Sequence, residues 1–171
     1  MIFSTLAILS LTIGAQAVGR AIVTNQCDEP VYLWSVGSSI GNQVTISKDQ
    51  SYSENFHRDP QSGGIALKIT GVADGLFKPN VSQTIFAYNL DGNTIWYDMS
   101  SIFGAGFSGR TMKVTPKDTT CEAITWPWGA PPAGSQVKNC QAGTDLELTF
   151  CTGHCLPSWC KYDLTLRHFR C

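Results

Sequence analysis

From Val18 onward, apolar and β-branched residues come in short runs parted by turn formers: AIVTN, VYLWSVG, QVTIS, GIALKIT, TIFAYNL, TIWYDMS, RTMKVTP and DLELTF. Several runs alternate. Ile65, Leu67 and Ile69 fall on one side of a pleated strand, as do Leu146, Leu148 and Phe150, which is the period of a sheet with one buried face. No segment keeps a three-to-four spacing long enough for a sizeable helix. The pattern therefore predicts an all-β chain, a sandwich or flattened barrel of about eight to ten strands. Within Asn89-Leu90-Asp91-Gly92-Asn93, an Asp-Gly pair supplies the positive φ of a tight hairpin, so Thr84–Leu90 and Thr94–Met99 are expected to be neighbours.

Three segments break this pattern. Residues 126–135, WPWGAPPAGS, hold three prolines and two tryptophans and are expected to be irregular, because proline cannot donate to a strand ladder. Residues 152–171 are rich in Cys and His without clean alternation and read as an appended extension rather than another sheet strand. At the other end, residues 1–17 carry no charged side chain, run apolar from Ile2 to Ile13 and finish on Ala15-Gln16-Ala17. That is the build of a secretory signal peptide cleaved after Ala17, and its apolar run is short for a bilayer span. The expected mature domain is then residues 18–151, followed by the extension.

Composition narrows the picture. With 43% hydrophobic and 11% aromatic residues, the chain can bury a core. Twelve basic against thirteen acidic side chains give a net charge of −1, which offers no basic surface for nucleic acid. All seven cysteines (Cys27, Cys121, Cys140, Cys151, Cys155, Cys160 and Cys171) follow the leader, so export makes disulfides their default state. Their number is odd, and their pairing cannot be read from spacing.

The stretches AVGRAIVTNQCDEPVYLWSVGS, SGGIALKIT, QTIFAYNLDGNTIWYDMS and PPAGSQVKNC resemble, in this order, the secreted fungal family named after the Blastomyces yeast-phase-specific protein, which overlaps the antigenic thaumatin-like proteins of filamentous fungi. The resemblance covers about Val18 to Cys151. It implies a compact thaumatin-like β-sandwich, a secreted or cell-wall location, and roles as a surface antigen, development-linked or host-contact protein, with no settled reaction and no cofactor. By analogy it also implies that Cys27 pairs with Cys151 and Cys121 with Cys140. Closing a loop of more than 100 residues removes roughly 4–5 kcal/mol of unfolded-state freedom. The family domain ends near Cys151, so residues 152–171 depart from it.

Candidate chemistry is sparse. A β-glucan hydrolase needs two carboxyls about 5–10 Å apart, one with a raised pKa. Glu54, Asp59, Asp74, Asp91 and Asp98 are available, but no spacing singles out a pair. Asp74 and Asp91 belong to turns, and Asp98 alternates with Trp96 on one strand, where a solvent face is expected. A metal site in the extension (Cys151, His154, Cys155, Cys160, His168, Cys171) matches zinc spacing imperfectly, and export favours disulfides over thiolate ligands. His57, among Glu54, Arg58 and Asp59, reads as a solvated loop residue. No Gly-x-Ser-x-Gly elbow or phosphate loop occurs.

Aromatic residues are more informative. Tyr32 and Trp34 share one strand face, Trp96 alternates with Tyr97, and Trp126 and Trp128 bracket a proline. Exposed rings of this kind stack on sugars and anchor interfaces, whereas Trp34 and one of Trp96 or Tyr97 are expected to be claimed by the core. Tyr32, Trp34, Trp96, Trp126 and Trp128 are the candidate contacts, with Trp126 and Trp128 the best exposed. Asn80-Val81-Ser82 is an N-glycosylation acceptor in a turn. The expectation is a secreted, monomeric binding protein without catalysis, whose partner is cell-wall glycan or a host surface protein; a hydrolase with an acidic cleft is the alternative, and metal binding by the extension the second.

Overall fold

The computed structural model describes residues 17–152, with the backbone of 161–163 and 168–170. Residues 1–16, which carry nearly all of the expected leader, lie outside the described residues, as do His154, Cys155, Cys160 and Cys171 of the expected metal set.

Two sheets face each other. The first contains β1 (Arg20–Asn25), β4 (Gln50–Asn55), β8 (Met112–Pro116), β9 (Ile124–Trp126) and β11 (Leu146–Phe150), in the order β4-β1-β11-β8-β9. The second contains β2 (Val31–Val36), β3 (Val44–Ile46), β5 (Ile65–Thr70), β6 (Gln83–Asp91), β7 (Thr94–Ile102) and β10 (Lys138–Gln141), in the order β10-β7-β6-β5-β2-β3. The protein is an all-β sandwich. Its helical content among the described residues is one 3-10 turn at Gly75–Phe77. Two further strands, β12 (Lys161–Asp163) and β13 (His168–Arg170), pair with each other in a separate two-stranded sheet, and among the described residues the extension adds no strand to either sheet of the sandwich.

The alternating runs put their apolar members between the sheets. Leu33, Leu67 and Phe86 from one sheet meet Trp126, Leu148 and Phe150 from the other, all at or near zero exposure. Each such side chain contributes about 1.5–3 kcal/mol on leaving water. The hairpin between β6 and β7 has the expected neighbours, and Gly92 takes φ 57° at its tip.

Three strands of the two facing sheets lie outside the sequence pattern. The edge strands β4 and β10 are mostly polar, QSYSEN and KNCQ, because an edge with solvent on one side needs little apolar alternation. The third, β9, ends at Trp126, inside the segment expected to be irregular, and irregularity begins only at Pro127. Gly129 follows at φ 67°, where a Cβ would fall 1.9 Å from the Phe107 carbonyl oxygen, so only glycine fits.

β1 and β11 run parallel side by side, Asn25 opposite Phe150, which carries both strand ends to one place. There Cys27 is bonded to Cys151, 124 positions apart. A second disulfide, Cys121–Cys140, fastens the segment after β8 to edge strand β10. Among the described residues no helix is long and apolar enough to cross a membrane.

Candidate functional site

The outer face of the six-stranded sheet carries the candidate site. Register places Val36, Ala66, Ala87 and Asp98 in one row across β2, β5, β6 and β7. Two alanine methyls at its centre leave the floor low. The neighbouring row sets Trp96 between Asn89 of β6 and Asn139 of β10. The result is a trough of about 460 Å³ whose floor is alanine, with Val36 at one end and Trp96, Asp98 and Val137 at the other. Trp96 is 43% exposed and Val137 50%, so a flat ring and a branched alkyl group face solvent beside a carboxylate.

Asp98 is the charged member of this trough. Partial burial against the small side chains pushes its pKa above the ordinary carboxylate value, and the backbone N–H of Met99 offsets part of that shift. Among the described residues it has no salt bridge. Such a group accepts hydrogen bonds from hydroxyls, while Trp96 offers a ring face to C–H groups and Asn89 and Asn139 offer amides.

A second polar cluster closes the sandwich at β4. Glu54 accepts hydrogen bonds from the hydroxyls of Tyr52 and Tyr88, the latter reaching across from the inner face of the other sheet. Burial, then the hydrogen bond to Glu54, raises the pKa of both phenols. The Nδ1 atom of His57 lies 3.1 Å from both the Tyr88 hydroxyl and the Asn55 carbonyl oxygen. A carbonyl only accepts, so Nδ1 carries the ring proton. Far from being only a solvated loop residue, His57 stacks edge-on against Tyr88.

Asp59 organises a loop. It accepts from the backbone N–H groups of Ser62, Gln61 and Ser38 and from the Ser38 and Ser62 hydroxyls, which hold its pKa well below the usual carboxylate range. Asp74 heads the 3-10 turn with φ 56°, and Asp91 ends β6 at the hairpin. Asp118 lies with Cys121 and Cys140 in a tight group, but both sulfurs are spent in a disulfide and offer no thiolate to a metal.

The five aromatic candidates do not gather. Trp96 lines the trough. Tyr32 shares the same sheet face further along β2 and is half-buried. Trp34 is 1% exposed despite pointing outward, because Phe77 from the 3-10 turn folds over it edge-on at 6.3 Å. Trp126 is fully buried: β9 pairs it with Met112 and turns its ring between the sheets. Neither can serve as a surface contact. Trp128 is 49% exposed, and its carbonyl accepts from Gly109, away from the trough. Asn80 is exposed on a turn.

Ala66, Ala87, Asn89, Val137 and Asn139 escaped the sequence reading. The first three had a signal, since they occupy the outward positions of GIALKIT and TIFAYNL, where larger side chains would fill the face. Val137 and Asn139 had none, because β10 follows a proline-rich segment and lacks alternation.

A family model described as Blastomyces yeast-phase-specific protein matches residues 8–152. The chain is 28% identical over 157 residues to the antigenic thaumatin-like protein of Arthroderma benhamiae, covering 86% of this chain and 78% of that protein. It is 32% identical over 110 residues to the secreted thaumatin-like protein calA of Emericella nidulans, covering 63% and 61%. Among solved structures, the protein elicitor MoHrip2 of Magnaporthe oryzae aligns with a TM-score of 0.64 at 22% identity, over 78% of this chain and 99% of that one. The thaumatin-like xylanase inhibitor TLXI aligns with a TM-score of 0.52 at 15% identity, over 77% and 98%. At these identities the two structures establish a shared fold.

Proposed function

Since the chain belongs to the Blastomyces yeast-phase-specific protein family and carries a thaumatin-like fold, we propose that it is exported and works by binding, with cell-wall carbohydrate as its ligand and the trough around Trp96 as its site. The observation that carries this reading is the placement of Trp96 between Asn89 and Asn139, beside Asp98. An exposed ring flanked by amides and one carboxylate meets both the apolar face and the hydroxyls of a sugar. Asp98 is the one carboxylate lining the trough among the described residues, whereas glycosidic hydrolysis calls for two.

The named relatives support the export part of the reading: one is called secreted and another antigenic. Cleavage after Ala17, a mature domain over residues 18–151, glycosylation at Asn80 and a monomeric state belong to the same proposal. The neighbours described as an elicitor and a xylanase inhibitor favour contact over catalysis as the mode of action.

A pull-down on insoluble β-glucan and chitin, run beside an assay for released reducing sugar, tests the reading. Retention on a polysaccharide without release is the expected outcome. Release of sugar would turn the protein into a hydrolase, and loss of retention on both polymers would leave a host protein as the partner.

A further inference from the structure

Beyond the trough, across Val137, lies a second basin of about 560 Å³ on the edge of the same sheet. Its walls differ in chemistry. Asn93, Thr94, Thr120, Asn139 and Gln141 line it with amides and hydroxyls. Its charged side chains, Glu122 and Lys138, are joined in a salt bridge and cancel. The Cys121–Cys140 disulfide lies against it and ties the segment bearing Thr120 and Glu122 to strand β10, so the wall is braced.

Two features make trough and basin one surface. Val137 lines both. Asn139, which lines the basin, is the register partner of Trp96, which lines the trough, and directly opposed residues of an antiparallel pair share a face. A ligand stacked on Trp96 therefore meets Asn139 next and reaches the basin by passing over the Val137 side chain.

We propose that the basin is a second subsite for the same ligand, and that the ligand is an extended, uncharged polysaccharide chain rather than a single sugar or an acidic polymer. The inference rests on the carbohydrate reading of the Trp96 trough. Neutral amides and hydroxyls pair with sugar hydroxyls in either direction, as donors or acceptors. With its two charges mutually neutralised, the basin offers no unpaired cation to hold an acidic polymer, and the Asp98 carboxylate of the trough repels one. A chain spanning both cavities gains hydrogen bonds that a short fragment on Trp96 cannot make, and a ligand limited to the trough gains nothing from added length.

The test is titration calorimetry of the secreted protein with uncharged oligosaccharides of increasing length, taken from whichever polysaccharide retains it, and with acidic oligogalacturonides. Affinity is expected to rise with length and then level off. Gln141→Ala, on the exposed edge strand and lining the basin but not the trough, should lower affinity for long oligomers by about 3- to 10-fold, the effect of one or so hydrogen bonds, and leave the shortest binding oligomer unchanged. An unshifted thermal midpoint of this variant shows that the fold is intact, and Thr120→Ala in the opposite wall gives a second reading. Equal affinity at all lengths, no effect of Gln141→Ala and Thr120→Ala on long oligomers, or tighter binding of the acidic series overturns the subsite. Absence of binding at every length, with wild type and Trp96→Ala alike, overturns the carbohydrate reading itself and the subsite with it.

Discussion

The Tyr88 hydroxyl, on the inner face of the six-stranded sheet, donates a hydrogen bond to the Glu54 carboxylate on the edge strand of the opposite sheet. With Tyr52 donating to the other carboxylate oxygen, Glu54 pins the two layers together at β4. The pin joins the layers at the margin where the apolar core gives way to solvent.

Tyr88→Phe should lower stability by about 1–2 kcal/mol, as expected for one hydrogen bond to a partly solvated charged group. Chemical denaturation of Tyr88→Phe, Tyr52→Phe and the double variant checks this. The double variant should lose less or more than the sum, because both phenols share one acceptor. Strict additivity would contradict the shared pin.

Both phenols have pKa values raised above 10.0, the unperturbed value. A raised folded-state value means that their contribution to stability is fully present below that pH and is lost as the pH climbs toward the folded value. Unfolding midpoints should therefore fall in the alkaline range above about pH 10. In Tyr52→Phe/Tyr88→Phe this alkaline loss should shrink, and absorbance titration of phenolate should show two fewer late-ionising groups.

Asp98 runs the other way in effect. Its raised pKa means that folding disfavours the charged form, so at neutral pH the ionised carboxylate detracts from stability. Asp98→Asn is expected to raise the thermal midpoint at pH 7 and to lose that advantage below the ordinary carboxylate range. The same change should weaken sugar binding by about 3- to 10-fold through loss of a charged acceptor. Gain of stability with loss of binding identifies a residue kept for its ligand.

The two disulfides should differ in weight. Cys27–Cys151 closes a separation of 124 residues and Cys121–Cys140 one of 19. Loop-closure entropy assigns about 4–5 kcal/mol to the first and about 3 to the second. Paired Cys→Ala variants compared by thermal melting should fall in that order. The reverse order would show that the β1–β11 seam is held by its ladder and core alone.

The sequence announced the sandwich because core strands bury one face: Leu67 and Ile69, or Leu146 and Leu148, alternate as they must. It hid β4 and β10 because edge strands escape that requirement. For the site, Trp96 and Asp98 were legible as alternating outward residues on one strand. Trp34 was misleading, since the cover provided by Phe77 comes from a loop whose path no local pattern dictates. Trp126 was misleading too, because the proline after it signalled a loop one residue too early. The partners of Trp96 depend on register between strands far apart in the chain, with Asn139 lying 43 positions after Trp96, and register is a property of the folded sheet.

Depletion isotherms on the insoluble polysaccharide that retains the protein, measured for wild type, Trp96→Phe and Trp96→Ala, address the central claim most directly. Binding should persist in Trp96→Phe, which keeps a flat ring, and drop by about tenfold or more in Trp96→Ala, with thermal midpoints showing all three folded. Retention of Trp96→Ala at the wild-type level would contradict the assignment of the trough as the carbohydrate site.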